Sequence, residues 1–226
     1  MGRVANILPT SFSALNSFET CPRRHYLTRI SKRVVEPPSA EINWGNFVHK
    51  ALEKYLRDGT PLPKSVRQYQ KYADKIKAAH PDANLLVEQQ LSVDKNFQPV
   101  GWWDKRGWFR GVIDVALLSG NKAYVFDWKT GNQKDDFDQL AMFAALITSH
   151  HPDIEVIHSG FIWLKTHDLT NHTYERDDAR KFWANVSPRV KRLQEAHKQQ
   201  VWPARPSGLC KKWCPVGRVN CEHCGG

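Results

Sequence analysis

Residues 111–129 read Gly-Val-Ile-Asp-Val-Ala-Leu-Leu-Ser-Gly-Asn-Lys-Ala-Tyr-Val-Phe-Asp-Trp-Lys, and this stretch decides the fold. Its two halves, 111–118 and 122–129, are rich in strand formers, and Gly120-Asn121 between them is a favoured two-residue hairpin turn. With that turn Ser119 faces Lys122, and counting outward sets Asp114 opposite Asp127. Directly opposed side chains have Cβ atoms roughly 4.5–5.5 Å apart. The strand period of two puts Lys129 on the face of Asp127 and Trp128 on the other. Two carboxylates that close repel unless something positive lies between them. A hard cation is the natural partner, since Mg²⁺ takes one or two carboxylates together with phosphate oxygens. Lys129 can then hold a phosphate or help deprotonate a water. The competing reading is a solvated hairpin face with an Asp–Lys pair, and a register slip of one residue would dissolve the constellation.

Working outward, Thr10 to Leu15 reads as a helix start with hydroxyls to cap it, ending near Cys21-Pro22. The spacing predicts a helix over 44–57 with Phe47, Val48, Ala51, Leu52 and Tyr55 as its buried stripe. A third follows over 64–79, with Val66, Tyr69, Ala73 and Ile76 at helical spacing. Leu85 to Val93 reads as a strand whose Glu88 is structural or supports the site from behind. Beyond the hairpin, 134–149 is a helix with Phe137, Leu140, Ala144 and Ile147 on one side. Ile154 to Lys165 is a strand and 172–175 a short one. A long helix runs from Asp177 or Asp178 to 199, kinked at Pro188. Helices around a small central sheet make an α/β core. That core spans 1–201, and a loop-like cysteine-rich segment, 202–226, packs on it.

The chain has 226 residues, enough for one large domain with a substantial core. Its net charge is +10, which favours an anionic partner, most simply nucleic acid, over charge kept for solubility. The basic pairs Arg23-Arg24, Lys32-Arg33, Lys105-Arg106, Lys191-Arg192 and Lys211-Lys212 are spread out, so folding must assemble any patch. Arg23, Arg24 and His25 suit a phosphate or a solvated helix end equally. Trp102, Trp103 and Trp108 precede the hairpin and suit packing or base stacking, the latter worth roughly 1–3 kcal/mol per base. The first residues lack the apolar run of a signal peptide, and no stretch approaches the roughly 18 apolar residues of a membrane span. The expectation is a soluble, cytoplasmic protein whose cysteines stay reduced.

Cys210-x3-Cys214-x6-Cys221-x2-Cys224 is dense for such a compartment and signals a metal or an iron–sulfur cluster. Cys21 stands apart at the end of the first helix. Either the four C-terminal cysteines bind Zn²⁺ as a knuckle, or Cys21 joins three of them around a [4Fe–4S] cluster. The Cys-x2-Cys pair leans towards zinc.

Taken together these residues resemble the RecB-type exonucleases of the PD-(D/E)XK nuclease superfamily, in particular the iron–sulfur branch that includes CRISPR-associated adaptation nucleases and phage exonucleases. Ser11 to Arg24 is similar to the family's first helix and first cluster cysteine. Gly45-Asn-Phe-Val-His49 looks like its histidine motif, and Gly111-Val-Ile-Asp114 and Asp127-Trp-Lys129 like its two acidic motifs. Gln139 to Phe143 stands where relatives carry Gln-x3-Tyr; here Phe143 lacks the hydroxyl. The resemblance implies a restriction-endonuclease-like core, a central mixed sheet flanked by helices, and metal-dependent DNA exonuclease activity. It implies Mg²⁺ or Mn²⁺ on His49, Asp114 and Asp127, with Lys129 and Gln139 acting beside them. It also implies a cluster on Cys21, Cys210, Cys214 and Cys221, with Cys224 as the alternative ligand; the spacing here is wider than the branch's pattern. A phage-encoded chain would work in the host cytoplasm, and some relatives form rings, which leaves oligomeric state and protein partners open. The alternatives are a non-catalytic zinc-knuckle nucleic-acid-binding module, against which the paired acids argue, and a CRISPR-type spacer-processing subunit.

Overall fold

A computed structural model describes residues 9–35, 38–134 and 136–224. The hairpin forms in the register its sequence predicts. β4 (Phe109–Ser119) and β5 (Lys122–Lys129) run antiparallel, with Ser119 opposite Lys122 and Val115 opposite Phe126. Gly120 takes φ +56 in the turn, a backbone conformation that costs glycine nothing.

The chain divides into two compact units, Pro38–Ala184 and Met1–Pro37 with Asn185–Gly226. The first holds the hairpin at the centre of a mixed sheet in the order β3-β2-β4-β5-β6-β7. The added strands are β2 (Asn84–Val93), β3 (Pro99–Val100), β6 (Val156–Trp163) and β7 (Asp168–Glu175). β5 and β6 pair in parallel. A parallel neighbour needs a crossover, and α5 (Phe137–His150) supplies it. Helices flank the sheet. α3 (Ala40–Asp58), a 3₁₀ turn over Lys64–Tyr69 and α4 (Gln70–Ala79) bury Val48, Leu52, Val66, Ala73 and Ile76. These pack on Val115, Leu117, Trp128 and Ile162 of the sheet. α5 meets β4 at Gly111, where a Cβ would stand 2.8 Å from Leu146 Cδ1.

Several boundaries differ from expectation for local reasons. α3 begins at Ala40, because Ser39 Oγ accepts the Ile42 amide and starts the helix early. Phe47 is 42 % exposed and leaves the predicted stripe, while Val48, Ala51 and Leu52 hold it. The segment 64–79 splits into its 3₁₀ turn and α4, yet all four predicted residues are buried. Asp136 caps α5 at the Gln139 amide, which leaves Phe137 at the exposed first position. α6 (Asp178–Gln199) continues through Pro188. Among the described residues no helix is long and apolar enough to cross a membrane.

The second unit joins the two sequence ends. The two-residue strand β1 (Thr10–Ser11) leads into α1 (Phe12–Thr20), which is capped by Ser11, whose Oγ accepts the Ala14 amide at 3.3 Å. α2 (Pro22–His25) follows, and a single π turn, Tyr26–Ile30, closes with the Ser31 amide on Tyr26 O. Arg189 holds Glu19 through two contacts, Nε at 2.9 Å and Nη2 at 2.8 Å. Trp202 stacks on Tyr26. The short helices α7 (Leu209–Lys212) and α8 (Gly217–Asn220) carry the C-terminal cysteines between and around them.

One side chain closes the end of α5. The Arg176 guanidinium donates to the carbonyls of Thr148 at 3.1 Å, His151 at 2.9 Å, Pro152 at 2.6 Å and to that of Ile154, and pairs with Glu155. The last carbonyls of a helix have no internal partner, and a planar fork meets several of them at once. Arg176→Ala should therefore cost about 1–3 kcal/mol in denaturant unfolding, with Arg176→Lys recovering only part of it. An unchanged midpoint in Arg176→Ala would show that water replaces these contacts freely.

Candidate functional site

The site begins at a break in the sheet. β2 and β4 pair Val87 with Val115 and Gln89 with Ile113, but no ladder pair joins Glu88 to Asp114. Glu88 takes φ +50, an uncommon conformation for a residue with a side chain. Gly111 faces Leu146 of α5, whereas Val115 and Leu117 pack with α3 and α4. Regular alternation would keep these odd-numbered positions on one face. They change face across Asp114. The β4–β5 ladder also stops at Val115–Phe126, one step before Asp114 and Asp127. Asp114 thus lies in a fork between strands, with its Oδ2 accepting the Trp128 amide at 2.9 Å.

α3 brings His49 to that fork, Nδ1 3.2 Å from Asp114 Oδ2. One turn earlier, a Cβ on Gly45 would stand 3.0 Å from Thr130 Oγ1, so the helix passes close to the loop after β5. Asp127, Lys129 and Gln139 form a second, contiguous group. Lys129 Nζ lies 2.6 Å from Asp127 Oδ2 and donates to Gln139 Oε1 at 3.1 Å. Gln139 Nε2 donates to Asp127 Oδ1 at 3.2 Å. Phe143, one helical turn on, is buried and packs. The structure thus gathers His49, Asp114, Asp127, Lys129 and Gln139 in one unit.

Sequence reasoning missed the placement of Glu88. Among the described residues, His49, Glu88 and Asp114 bring ligand atoms within 4.8 Å of one another. The resemblance implies Asp127 as the ligand beside His49 and Asp114; in this arrangement its carboxylate meets Lys129 and Gln139. The left-handed backbone at Glu88 is invisible in sequence. Its one legible trace is a lone carboxylate after the apolar run Leu85-Leu86-Val87.

The electrostatics record crowded acids. Burial, then the charges of Asp114 and Glu53, push Glu88 up to about 7. Burial works against the His49 cation, but the Asp114 hydrogen bond and the charges of Asp114 and Asp127 prevail and raise it to about 9. Burial and the Asp114 charge push Asp127 up, against the pull of Lys129. Oxygen donors with one imidazole suit Mg²⁺ or Mn²⁺. The group opens into a cleft of about 1090 Å³ whose lining includes Trp44, Val112, Thr130 and Lys165. That is room for a polymer segment.

The cysteines form a separate candidate site within the terminal unit. Cys21, Cys210, Cys214, Cys221 and Cys224 all line one small cavity, with no disulfide among them. Burial and the neighbouring Cys214 and Cys221 push the Cys224 thiol up to about 12. The amides of Arg205 and Ser207 point at Cys21 Sγ and Cys210 Sγ, both at 3.4 Å. Among the described residues no three cysteine sulfurs lie within 4.8 Å of one another. One zinc at about 2.3 Å from each ligand draws them to roughly 3.8 Å. Arg23, read as a phosphate contact or a solvated helix end, pairs with Glu222 at 3.0 Å.

The family model of the PD-(D/E)XK nuclease superfamily matches residues 9–222. Among solved structures, a protein from Eubacterium rectale with a provisional exonuclease designation shares the fold. It has a TM-score of 0.60 at 13 % identity, over 95 % of this chain and 90 % of that one. The protein SSO0001 aligns over 97 % of this chain and 89 % of that one, at 18 % identity and a TM-score of 0.48. No curated protein matches the sequence.

The geometry yields a test of the ligand set. Glu88→Ala and Asp114→Ala should each weaken Mn²⁺ binding at least ~10-fold in calorimetry, as loss of a ligand or its close support does. Asp127→Asn should weaken it less. The reverse order would return Asp127 to the ligand set and leave Glu88 as support.

Proposed function

We propose that this chain, which belongs to the PD-(D/E)XK nuclease superfamily, is a metal-dependent DNA exonuclease acting on single strands or DNA ends, with a structural iron–sulfur cluster. One observation carries the hydrolytic part: a cation-sized group, His49–Glu88–Asp114, stands beside a lysine held between Asp127 and Gln139. The net charge of +10 supports an anionic polymer as substrate. Exonuclease action rests on the ordered motifs that resemble the RecB-type enzymes.

Mg²⁺ or Mn²⁺, when bound by His49, Glu88 and Asp114, supplies Lewis-acid activation of water and neutralises phosphate charge. The chain's own residues do the rest. The Trp128 amide fixes Asp114 so that its carboxylate need not reorganise on binding. Lys129 pairs with Asp127, donates to Gln139 and sits over the Phe161 ring at 4.6 Å from its centroid. Held there, its charge would stabilise negative charge that develops in the transition state. Gln139 bridges Lys129 and Asp127 and acts through them as a positioning residue.

Cys21, Cys210, Cys214 and Cys221 hold the cluster in this reading, with Cys224 as the alternative ligand. The shared cavity and the amides aimed at Cys21 and Cys210 support it. The cluster's role is to tie α1 and α2 to the C-terminal segment.

Anaerobically purified protein should degrade end-labelled single- or double-stranded DNA with Mg²⁺ or Mn²⁺ and not in EDTA. Lys129→Ala should lower the rate by about 10²-fold or more while still binding DNA. Tight binding without cleavage under any metal would sink the nuclease reading in favour of a binding module. Cys21→Ser should lose iron and the absorbance near ~400 nm expected of Cys-ligated clusters. Zinc without iron in the wild-type protein would replace the cluster by a zinc knuckle.

A further inference from the structure

The three tryptophans ahead of the hairpin have different surroundings. Trp108 is a packing residue, set among Phe97 at 5.6 Å, Phe109 at 6.0 Å and Trp183 at 6.1 Å between ring centroids. Trp103 is 84 % exposed. Its contacts are an edge-on Trp102, at 6.4 Å and 85°, and the Arg110 guanidinium, whose Cζ lies 4.6 Å from the Trp102 ring and 5.9 Å from that of Trp103.

We infer that Trp102, Trp103 and Arg110 form a stacking platform for unpaired bases of a DNA strand that runs into the cleft. This deepens the nuclease reading and rests on it for the identity of the polymer. Three observations support it. An indole this exposed gains little from its own fold, while every base presents a face that can stack on it. The platform adjoins the cleft, because Arg110 precedes cleft-lining Val112 by two strand positions, which places both side chains on one face about 7 Å apart. Asp114 lies two positions further, so platform and carboxylate are separated by ~13 Å of strand, a span of roughly four stacked nucleotides. Finally, the platform is charged and its loop is held by local hydrogen bonds. Asp104 anchors its loop by accepting the Arg106 amide at 2.8 Å and the Arg106 guanidinium at 2.7 Å. Two turn bonds, Asp104 N to Gly101 O and Gly107 N to Asp104 O, tighten it. Among the described residues no carboxylate pairs with Arg110, which leaves its charge for a phosphate next to the stacked base. Duplex DNA keeps its bases stacked on each other, so the platform selects single strands.

The test is fluorescence anisotropy of the full chain in EDTA, where nothing is cut, with labelled oligo-dT and a labelled blunt duplex of two annealed strands. Trp103→Ala should weaken oligo-dT binding by roughly 5- to 150-fold, the range aromatic–base stacking supports. Duplex affinity should change less than about 2-fold, and Trp103→Phe should retain most of the single-strand affinity. Arg110→Ala should lower the magnitude of the salt slope for oligo-dT by about 0.7, one phosphate contact on a single strand. Equal losses on both DNAs, no loss at Trp103→Ala, or no single-strand binding by the wild type would overturn the platform. Trp103-dependent single-strand binding without cleavage in Mg²⁺ or Mn²⁺ would keep the platform and discard the nuclease reading; cleavage with no Trp103 dependence would do the opposite.

Discussion

The hydrogen bond from the Trp128 amide to Asp114 Oδ2 holds together the fork on which the rest of the site is built. The same residue sends its indole into the core shared by α3, α4 and the sheet. Packing and site geometry therefore share one backbone segment, and a shift of the Trp128 ring would move the amide that orients the carboxylate. The fork gathers three acids, Glu88, Asp114 and Asp127, in surroundings that are at least half-buried. Like charges that close are tolerable only with compensation. Lys129 compensates Asp127 and His49 faces Asp114. Glu88 is the acid left over, and it is the one whose backbone is twisted to bring it in. The strain at Glu88 and the excess of acid in the fork are two aspects of one arrangement, a site shaped for an added cation.

Much of this was legible in the sequence because it follows from short-range rules. The Gly120-Asn121 turn fixes the hairpin register, and with it the neighbourhood of Asp114, Asp127 and Lys129. Helical periodicity found Val66, Tyr69, Ala73 and Ile76 although the backbone there splits into two helix types, because burial depends on the face more than on the pitch. What could not be read was set by tertiary contact. Alternation predicts one continuous face along β4, and the kink that breaks it lies on a neighbouring strand, at Glu88. Phe47 and Phe137 fit the apolar stripes of their helices but lie at the edge of the packing, with only Trp44 and His172 as ring neighbours among the described residues. Trp102, Trp103 and Trp108 look alike in sequence, and only their surroundings separate a packing residue from an exposed one.

The cysteine cavity and the acidic fork draw on different chemistry and different parts of the chain. The fork belongs to a unit of continuous sequence, with its ligand-bearing elements close to one another along the chain. The cavity instead collects thiols from both sequence ends, and Arg189 on Glu19 adds a direct ionic tie between those ends. A bond that closes a long loop restricts the unfolded chain more than one that closes a short loop.

That arrangement has a consequence for biosynthesis. Roughly 150 residues lie between the two sequence segments of the terminal unit. At about 5–20 residues per second, Cys21 is made ~9 to 38 seconds before Cys210, the first of the other cavity cysteines. The sheet unit can complete its fold in that interval, whereas α1 and α2 must wait. Cys21 can meet the other thiols of the cavity only once they have been made, and until then its thiol is open to oxidation.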